Sequence, residues 1–356
     1  MQRSELRQAL RTVSPALGDG AELPVHACVC FDGDKVFAYD ETVAILAPMK
    51  SDFVGAVPGK LLGSWTNAVG GAEVTISQKG KNLNVSCGKA KIALPVIGND
   101  EFQFVAPNME ETRVFEMGVD EIHTIRQAML AMGTDLNAKA RLGLTVDFEM
   151  SDDDGTAIMV VYGTNNTTLT RAITPISVEA DEDLAPFVLP PRFCELLVAH
   201  AHEGAVLYID DGWIAADLDD GVEVYCRALT DMDVATFRSL FTDADEINDT
   251  IIPIPEEFAD ALTRSEILLS AAGDTMASIA VKGGTLHITT DTSVGRGNDA
   301  MKIEGDHDDV DERFCPELAR RGLASAVGFR IYSDGHERKM CFFGGGLSYW
   351  CALGYE

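Results

Sequence analysis

The sequence predicts an α+β fold written three times in one chain. Three observations carry this. First, a block made of Pro, a short amphipathic helix and a β-hairpin recurs, with its prolines at 58, 190 and 316, spaced 132 and 126 residues apart. Second, each block is preceded by another helix and a pair of strands. Third, apolar residues make up 46% of the 356 and charged residues only 24%, enough apolar material for several cores.

The elements follow in chain order. A helix over 3–14 is set by Leu6, Leu10 and Val13 on one face and ended by Pro15. Strands over 27–31 and 36–39 close on Tyr39-Asp40-Glu41. Pro58 opens a helix to about 69, since Pro in a first turn loses no hydrogen bond. A hairpin over 73–77 and 83–87 turns on Gly80-Lys81, and a strand over 91–96 follows. The middle third starts with a helix over 119–132, with Ile122, Ile125, Met129 and Met132 as its stripe. Strands over 142–149 and 157–162 close on Gly163-Thr164-Asn165. A helix then runs from Pro190-Pro191 to about 202, and a hairpin over 205–209 and 213–216 turns on Asp211-Gly212. A strand over 222–228 ends this third. The last third repeats the plan: a helix over 255–269, strands over 276–281 and 286–289, and a helix from Pro316 to about 324. A hairpin over 328–332 and 339–343 and a strand over 347–353 complete it.

The chain carries 28 Lys and Arg against 57 Asp and Glu, a net charge of −29 and a pI near 4.4. Taken whole, that balance opposes nucleic-acid binding. The charge is uneven, however. Residues 1–107 hold 10 basic and 11 acidic residues, a net of −1; the remaining 18 and 46 give −28. The acidic clusters at 152–154, 181–183, 210–211, 219–220, 243–246 and 306–312 sit where turns belong and read as a solvated rim. No run approaches the ~18 apolar residues of a membrane span. The N-terminus is charged where a signal peptide needs an apolar core. Eight scattered cysteines without a CxxC pair read as reduced, cytoplasmic thiols.

Few residues invite chemistry. Cys28 and Cys30 share one strand face, which suits packing. His200 and His202, two apart on a helix, point apart rather than to one metal. The 305–309 segment lacks the spacing and terminal Glu of a Ca²⁺ loop. There is no Gly-rich phosphate loop, GxSxG or HExxH. No cofactor and no metal are expected.

Certain stretches resemble a known family in their order and spacing. They are Leu23-Pro24-Val25, Ala38-Tyr39-Asp40-Glu41, Val57-Pro58-Gly59-Lys60-Leu61-Leu62, and Ala93-Leu94-Pro95 followed by Asp100-Glu101-Phe102. Thr164 to Leu169 and Tyr225-Cys226-Arg227 leading to Phe237-Arg238 extend the match to essentially the whole chain. Together they resemble the bacterial DNA polymerase III β-type sliding clamp, the processivity factor of replication. The resemblance implies three clamp domains, 1–107, 108–242 and 243–356, each two helices on antiparallel sheets, and a homodimeric ring around double-stranded DNA. It implies a protein that catalyses nothing and holds a DNA polymerase and a clamp loader through their short peptide motifs. The second possibility is a clamp-fold hub that binds such peptides without encircling DNA.

Arg3, Arg7 and Arg11 recur every four residues beside the apolar stripe of the first helix. By itself such a face is a solvated one; in a clamp it meets phosphates without reading sequence. Lys60, Arg126, Arg192, Arg264, Arg320 and Arg321 lie on the other helices expected to line the hole. The family's peptide pocket maps by resemblance to Leu144, Thr164, Asn166, Thr167, Thr168, Leu169, Ala235, Leu240, Trp350, Ala352 and Leu353. For the leucines, plain core packing is the alternative. The chain departs from the family here: Asn166-Thr167-Thr168 replaces the usual Gly-His-Arg, and Ala352-Leu353-Gly354-Tyr355-Glu356 replaces the Met-Pro-Met-type tail. The acidic loop over 18–22 stands where relatives often carry an arginine that touches DNA. Such divergence suits a phage-encoded member.

Overall fold

A computed structural model describes all residues except 22, 98–103, 108–111, 135–141, 151–155, 178–184, 211, 230–233, 246–250, 306, 335–336 and 355–356. The expected acidic turns at 152–154 and 181–183, and the Asp100-Glu101-Phe102 stretch, lie outside the described residues.

In chain order the structure begins with α1 (Arg3–Val13), β1 (Cys28–Asp32), β2 (Lys35–Tyr39), β3 (Val43–Pro48), β4 (Val54–Pro58) and α2 (Gly59–Ala68). The hairpin β5 (Thr75–Lys79) and β6 (Asn82–Cys87) is followed by β7 (Ala90–Pro95), β8 (Arg113–Met117) and α3 (Val119–Ala128). Then come β9 (Leu144–Met150), β10 (Ala157–Thr164), β11 (Thr168–Ile176), β12 (Phe187–Leu189) and α4 (Pro191–His200). They lead to β13 (Ala205–Ile209), β14 (Trp213–Asp217), β15 (Glu223–Arg227), α5 (Val234–Asp245), β16 (Ile252–Pro253) and α6 (Phe258–Ala272). The chain closes with β17 (Ala277–Lys282), β18 (Thr285–Thr292), β19 (Gly295–Lys302), β20 (Val310–Phe314), α7 (Pro316–Gly322), β21 (Gly328–Asp334), β22 (Glu337–Gly344) and β23 (Leu347–Ala352).

The chain divides into two compact units. Unit 1 is Met1–Ile122 with Glu195–Leu229, and unit 2 is His123–Cys194 with Thr230–Glu356. Each holds one eight-stranded antiparallel sheet and one smaller sheet. In unit 1 the order is β4-β1-β2-β3-β15-β14-β13-β8, with β5-β6-β7 as the small sheet. In unit 2 it is β12-β9-β10-β11-β23-β22-β21-β16, with β19-β18-β17-β20. The same seam appears in both large sheets. The strand after a tight hairpin, β3 or β11, pairs with the closing strand of the next repeat, β15 or β23. The registers are Ala44 with Tyr225 and Leu169 with Trp350.

The hairpin before each seam is built alike. Asp40 Oδ1 accepts from the N–H of Thr42 at 3.1 Å and of Val43 at 2.9 Å, and Glu41 sits at φ 76°. Asn165 Oδ1 accepts from the N–H of Thr167 at 3.2 Å and of Thr168 at 2.9 Å, and Asn166 sits at φ 76°. An Asx side chain that mimics a backbone turn explains why these polar stretches recur in the sequence.

The cores follow the expected stripes. α1 buries Leu6, Ala9, Leu10 and Val13, each large aliphatic side chain contributing about 1.5–3 kcal/mol. Cys28 and Cys30 pack with Tyr39, Ala44 and Tyr225. Burial pushes the Cys28 thiol up to about 11 and Cys30 to about 12, so both are protonated packing groups at neutral pH. α7 ends at Gly322, where a Cβ would stand 2.6 Å from the rings of Phe342 and Tyr349. Gly322→Ala is therefore expected to cost about 1–3 kcal/mol, read as a lowered urea midpoint at an unchanged slope.

Several expectations need correction. Pro255 does not open α6, which starts at Phe258 after a turn. Asp243 and Asp245 lie in α5, and Asp311 and Glu312 in β20, rather than in turns. The middle of the chain has α5 in addition to the two expected helices. α4 ends at His200, so His202 follows the helix and the helical spacing rule does not separate the two.

Candidate functional site

The basic candidates divide sharply. α1 and α2 pack against each other in unit 1, and between them runs a groove of about 490 Å³. Arg7 and Arg11 from α1 and Lys60 from α2 line it, with Ser14, Ser64 and Asn67 as neutral hydrogen-bonding groups. Gly59 lets the first turn of α2 approach closely: a Cβ there would lie 2.7 Å from Leu17 and 2.9 Å from Val29. All three cations are exposed, and none has an ion-pair partner among the described residues. Arg3 differs. Its guanidinium donates to the Val69 carbonyl at the C-terminus of α2, where a cation also meets the negative end of the helix dipole.

In unit 2 the counterparts are neutralised from within. Arg264 pairs with Asp299 at 2.6 Å, Arg320 with Glu266 at 2.7 Å, and Arg321 with Glu317 at 2.6 Å. Exposed to water and salt, these pairs add little to stability, but they cancel charge that phosphates would otherwise feel. Arg126 is exposed on α3 and Arg192 is half-buried in the first turn of α4. Of these pairs only Glu317 and Arg321, four apart on a helix, have a spacing that a sequence rule could find.

A larger cavity of about 910 Å³ lies on the other side of α1, lined by Glu5, Gln8, Asp34, His200, His202 and Asp219 among others. Burial, then the neighbouring His202 and Arg11, lower the pKa of His200 and favour its neutral form. Among the described residues no three metal-ligating side chains cluster.

The pocket candidates all fall in unit 2, most on the two faces of its large sheet or in the Asn165 turn, and Ala235 and Leu240 on α5. Cross-strand partners share a face, and successive residues alternate. Thr164 pairs with Leu169 and Leu169 with Trp350, so these three share one face. Ala352 follows Trp350 by two and joins them. Leu144 pairs with Gly163, Gly163 with Thr170, and Thr170 with Tyr349, which sets Leu144 on the opposite face. That face is core: Leu144 is fully buried, and the Thr170 hydroxyl donates to the Ala128 carbonyl at 2.8 Å. Leu353 is buried as well. Strand alternation thus sets Leu144 and Thr168 on the face away from Leu169, and Leu353 lies just beyond the end of β23. The Asn165 turn fixes Thr167 and Thr168, whose hydroxyls donate to Asn165 Oδ1 at 3.0 and 2.8 Å; Asn166 at its tip is exposed.

α5, which sequence reasoning missed, covers part of the Leu169 face. Phe237 stacks on Tyr162 with centroids 5.2 Å apart, and Phe241 meets Trp350 at 4.5 Å. Arg238 grips Asp147 with two hydrogen bonds, Nε to Oδ2 at 2.7 Å and Nη2 to Oδ1 at 2.8 Å, and the Asp147 carboxylate is buried. That contact raises the guanidinium pKa further. Leu240 is half-buried and Ala235 exposed on the same helix. α5, the Asn165 turn and the end of β23 border the part of this face where Leu169 and Ala352 are half-buried, and that surface is the candidate cleft. The signal that could have found α5 is the spacing of Val234, Phe237 and Phe241.

No protein-family model matches the sequence. Solved structures do. The DNA polymerase sliding clamp of Caulobacter crescentus aligns with a TM-score of 0.82 at 15% identity, over 100% of this chain and 99% of that one. The DNA polymerase III β subunit of Thermotoga maritima gives 0.82 at 14% identity, over 100% and 98%. The Pseudomonas aeruginosa sliding clamp bound to griselimycin gives 0.83 at 13%, over 100% and 98%. No helix among the described residues is long and apolar enough to cross a membrane. Over its whole length, the chain has the fold of the bacterial DNA polymerase III β sliding clamps.

Proposed function

We propose that the chain is a DNA sliding clamp: a homodimer of three-repeat protomers, 1–107, 108–242 and 243–356 with α5 running across the second boundary, that encircles duplex DNA and tethers a polymerase. The observation that carries this is a pair of open strand edges. β3 meets β15 and β11 meets β23 within the chain, and the strands left in the same roles are β19 and β7. Among the described residues each is the edge of its small sheet. An unpaired edge is a template for another chain. Pairing β19 of one protomer with β7 of a second, twice over, gives a third seam like the first two and closes a ring.

Such a ring acts by topology and catalyses nothing. The Arg7, Arg11 and Lys60 groove supplies loose phosphate contacts, and the acidic remainder disfavours binding elsewhere. The cleft by α5 takes short peptides from the polymerase and the clamp loader. The Pseudomonas aeruginosa sliding clamp is known bound to griselimycin, so a protein of this fold can hold a ligand. The expected solution mass is about 77 kDa, twice the 38.4 kDa chain. Loaded on a nicked circle, the protein should be retained until the circle is cut. Retention on linear DNA would refute encirclement. The triple variant Arg7→Glu, Arg11→Glu, Lys60→Glu should weaken direct DNA binding and flatten its salt dependence, by about 0.9 in log–log slope per lost phosphate contact. Unaltered DNA binding and polymerase stimulation would favour the peptide-binding hub instead.

A further inference from the structure

The groove between α1 and α2 is out of character for this chain. The sequence carries 57 acidic residues against 28 basic ones. Yet among the described residues that line these 490 Å³ none bears a carboxylate, and three bear cations. Arg7 and Arg11, one turn apart, present two guanidinium forks from the α1 wall. Lys60 stands in the first turn of α2, on the other wall. Ser64 and Asn67 follow along that wall, and neither side chain has a hydrogen-bond partner among the described residues. Elsewhere the chain neutralises such cations: Arg264, Lys282, Arg296 and Arg320 each hold a carboxylate at 2.6–2.8 Å.

Two glycines in α2 sharpen the picture. A glycine inside a helix gives up stability relative to alanine, so each asks for a cause. Gly59 has one in packing, since a Cβ would stand 2.7 Å from Leu17. Gly63 has none, because no packing partner lies within 4 Å of a Cβ there. It lines the groove one turn before Asn67, beside Lys60 and Ser64. The missing side chain leaves room between the cations rather than space for a neighbouring residue.

Three cations around an open floor exceed what one phosphodiester, with its single charge, can use. We propose that the groove seats a linear oligophosphate, the chain shared by inorganic tripolyphosphate and nucleoside triphosphates. The guanidinium forks take the oxygens of one end in charge-assisted hydrogen bonds. The Lys60 ammonium takes the next phosphate, and the Ser64 hydroxyl and Asn67 amide donate to remaining oxygens. An occupied groove withholds the same cations from duplex DNA. That consequence rests on the DNA-contact reading above; the seat itself does not.

The test is isothermal titration calorimetry on the full-length protein at fixed ionic strength. Sodium tripolyphosphate, a nucleoside triphosphate and orthophosphate are the separate probes. Tripolyphosphate should bind at least about tenfold tighter than orthophosphate. Lys60→Gln should weaken it about tenfold, whereas Lys282→Gln, at a neutralised cation, should change it less than about twofold. Gly63→Leu keeps every charge and fills the floor. It should also cost about tenfold in affinity, with a urea midpoint no lower than the parent's. A nucleoside triphosphate that matches tripolyphosphate includes nucleotides among the ligands; one that fails to bind assigns the seat to inorganic chains. Orthophosphate binding as tightly as tripolyphosphate overturns the proposal, as does an equal loss with Lys282→Gln. Added to labelled duplex, tripolyphosphate should release it at concentrations near its own dissociation constant. If tripolyphosphate does not bind while Arg7→Glu, Arg11→Glu, Lys60→Glu still weakens DNA binding, the seat is overturned and the DNA reading stands. Binding without release of duplex keeps the seat and refutes the groove as the DNA contact.

Discussion

An Ala93→Pro chain is expected to sediment as a 38.4 kDa monomer at concentrations where the parent is a dimer. The backbone of β7 shows why. The Val96 N–H donates to the Lys81 carbonyl at 2.9 Å, so Val96 faces β6. Alternation turns the N–H groups of Lys91 and Ala93 toward the open edge. Pro95, which has no N–H, already occupies that edge, the position in a sheet where proline is tolerated. A second proline at 93 leaves β6–β7 pairing intact and removes a donor from the proposed seam. Losing about 1.5 kcal/mol at each of two seams raises the dimer dissociation constant about 100-fold. The opposite edge gives an independent version. The Ile303 N–H donates to Gly284 O at 3.1 Å, which sets Asn298 and Ala300 toward the open side of β19. Ala300→Pro should act alike. Mixed together, the two variants share one undamaged seam and should recover a heterodimer. If both remain dimeric in sedimentation equilibrium, the seam lies elsewhere.

Arg238→Ala should destabilise unit 2 by about 3 kcal/mol. Removing one partner of a buried ion pair leaves the other charged and dry, which costs about 3–5 kcal/mol. The lower end applies because half of the Arg238 side chain is in water, whereas Asp147 is 1% exposed. The loss should release α5, expose Phe237 and Phe241, and raise binding of an apolar dye. Adding Asp147→Asn should recover much of the stability, since the stranded charge is gone. A loss under 1 kcal/mol in urea unfolding would show that α5 is held by its phenylalanines alone.

Most elements were legible because their apolar periods are strong: the α1 stripe and the hairpin 205–217 lie within a residue or so of expectation. What failed has physical causes. β11 buries Thr168, Thr170, Ala172 and Thr174, so its core face reads as polar although Thr favours strands. β19, with Gly-Arg-Gly-Asn-Asp-Ala-Met-Lys, has no apolar alternation and owes its form to pairing with β18. α5 ends in Asp243 and Asp245, which oppose a helix dipole and look like a turn. For the candidate site, what could be read was position on an element rather than electrostatic surroundings. Arg7, Arg11 and Lys60 could be read from helix faces. The neutralising Asp299 and Glu266, distant in sequence from Arg264 and Arg320, could not.

The repeated strand seam has one further consequence. Two of its three instances join segments of the same polypeptide, so their ends meet at an effective concentration of about millimolar whatever the dilution. The third, proposed between β19 and β7, forms only at the concentration of free protomers. Equivalent hydrogen-bond ladders are therefore near-permanent in two places and dilution-sensitive in one. Where a ring of this kind can part, and admit a DNA strand, is decided by covalent continuity rather than by any weakness written into the strands themselves.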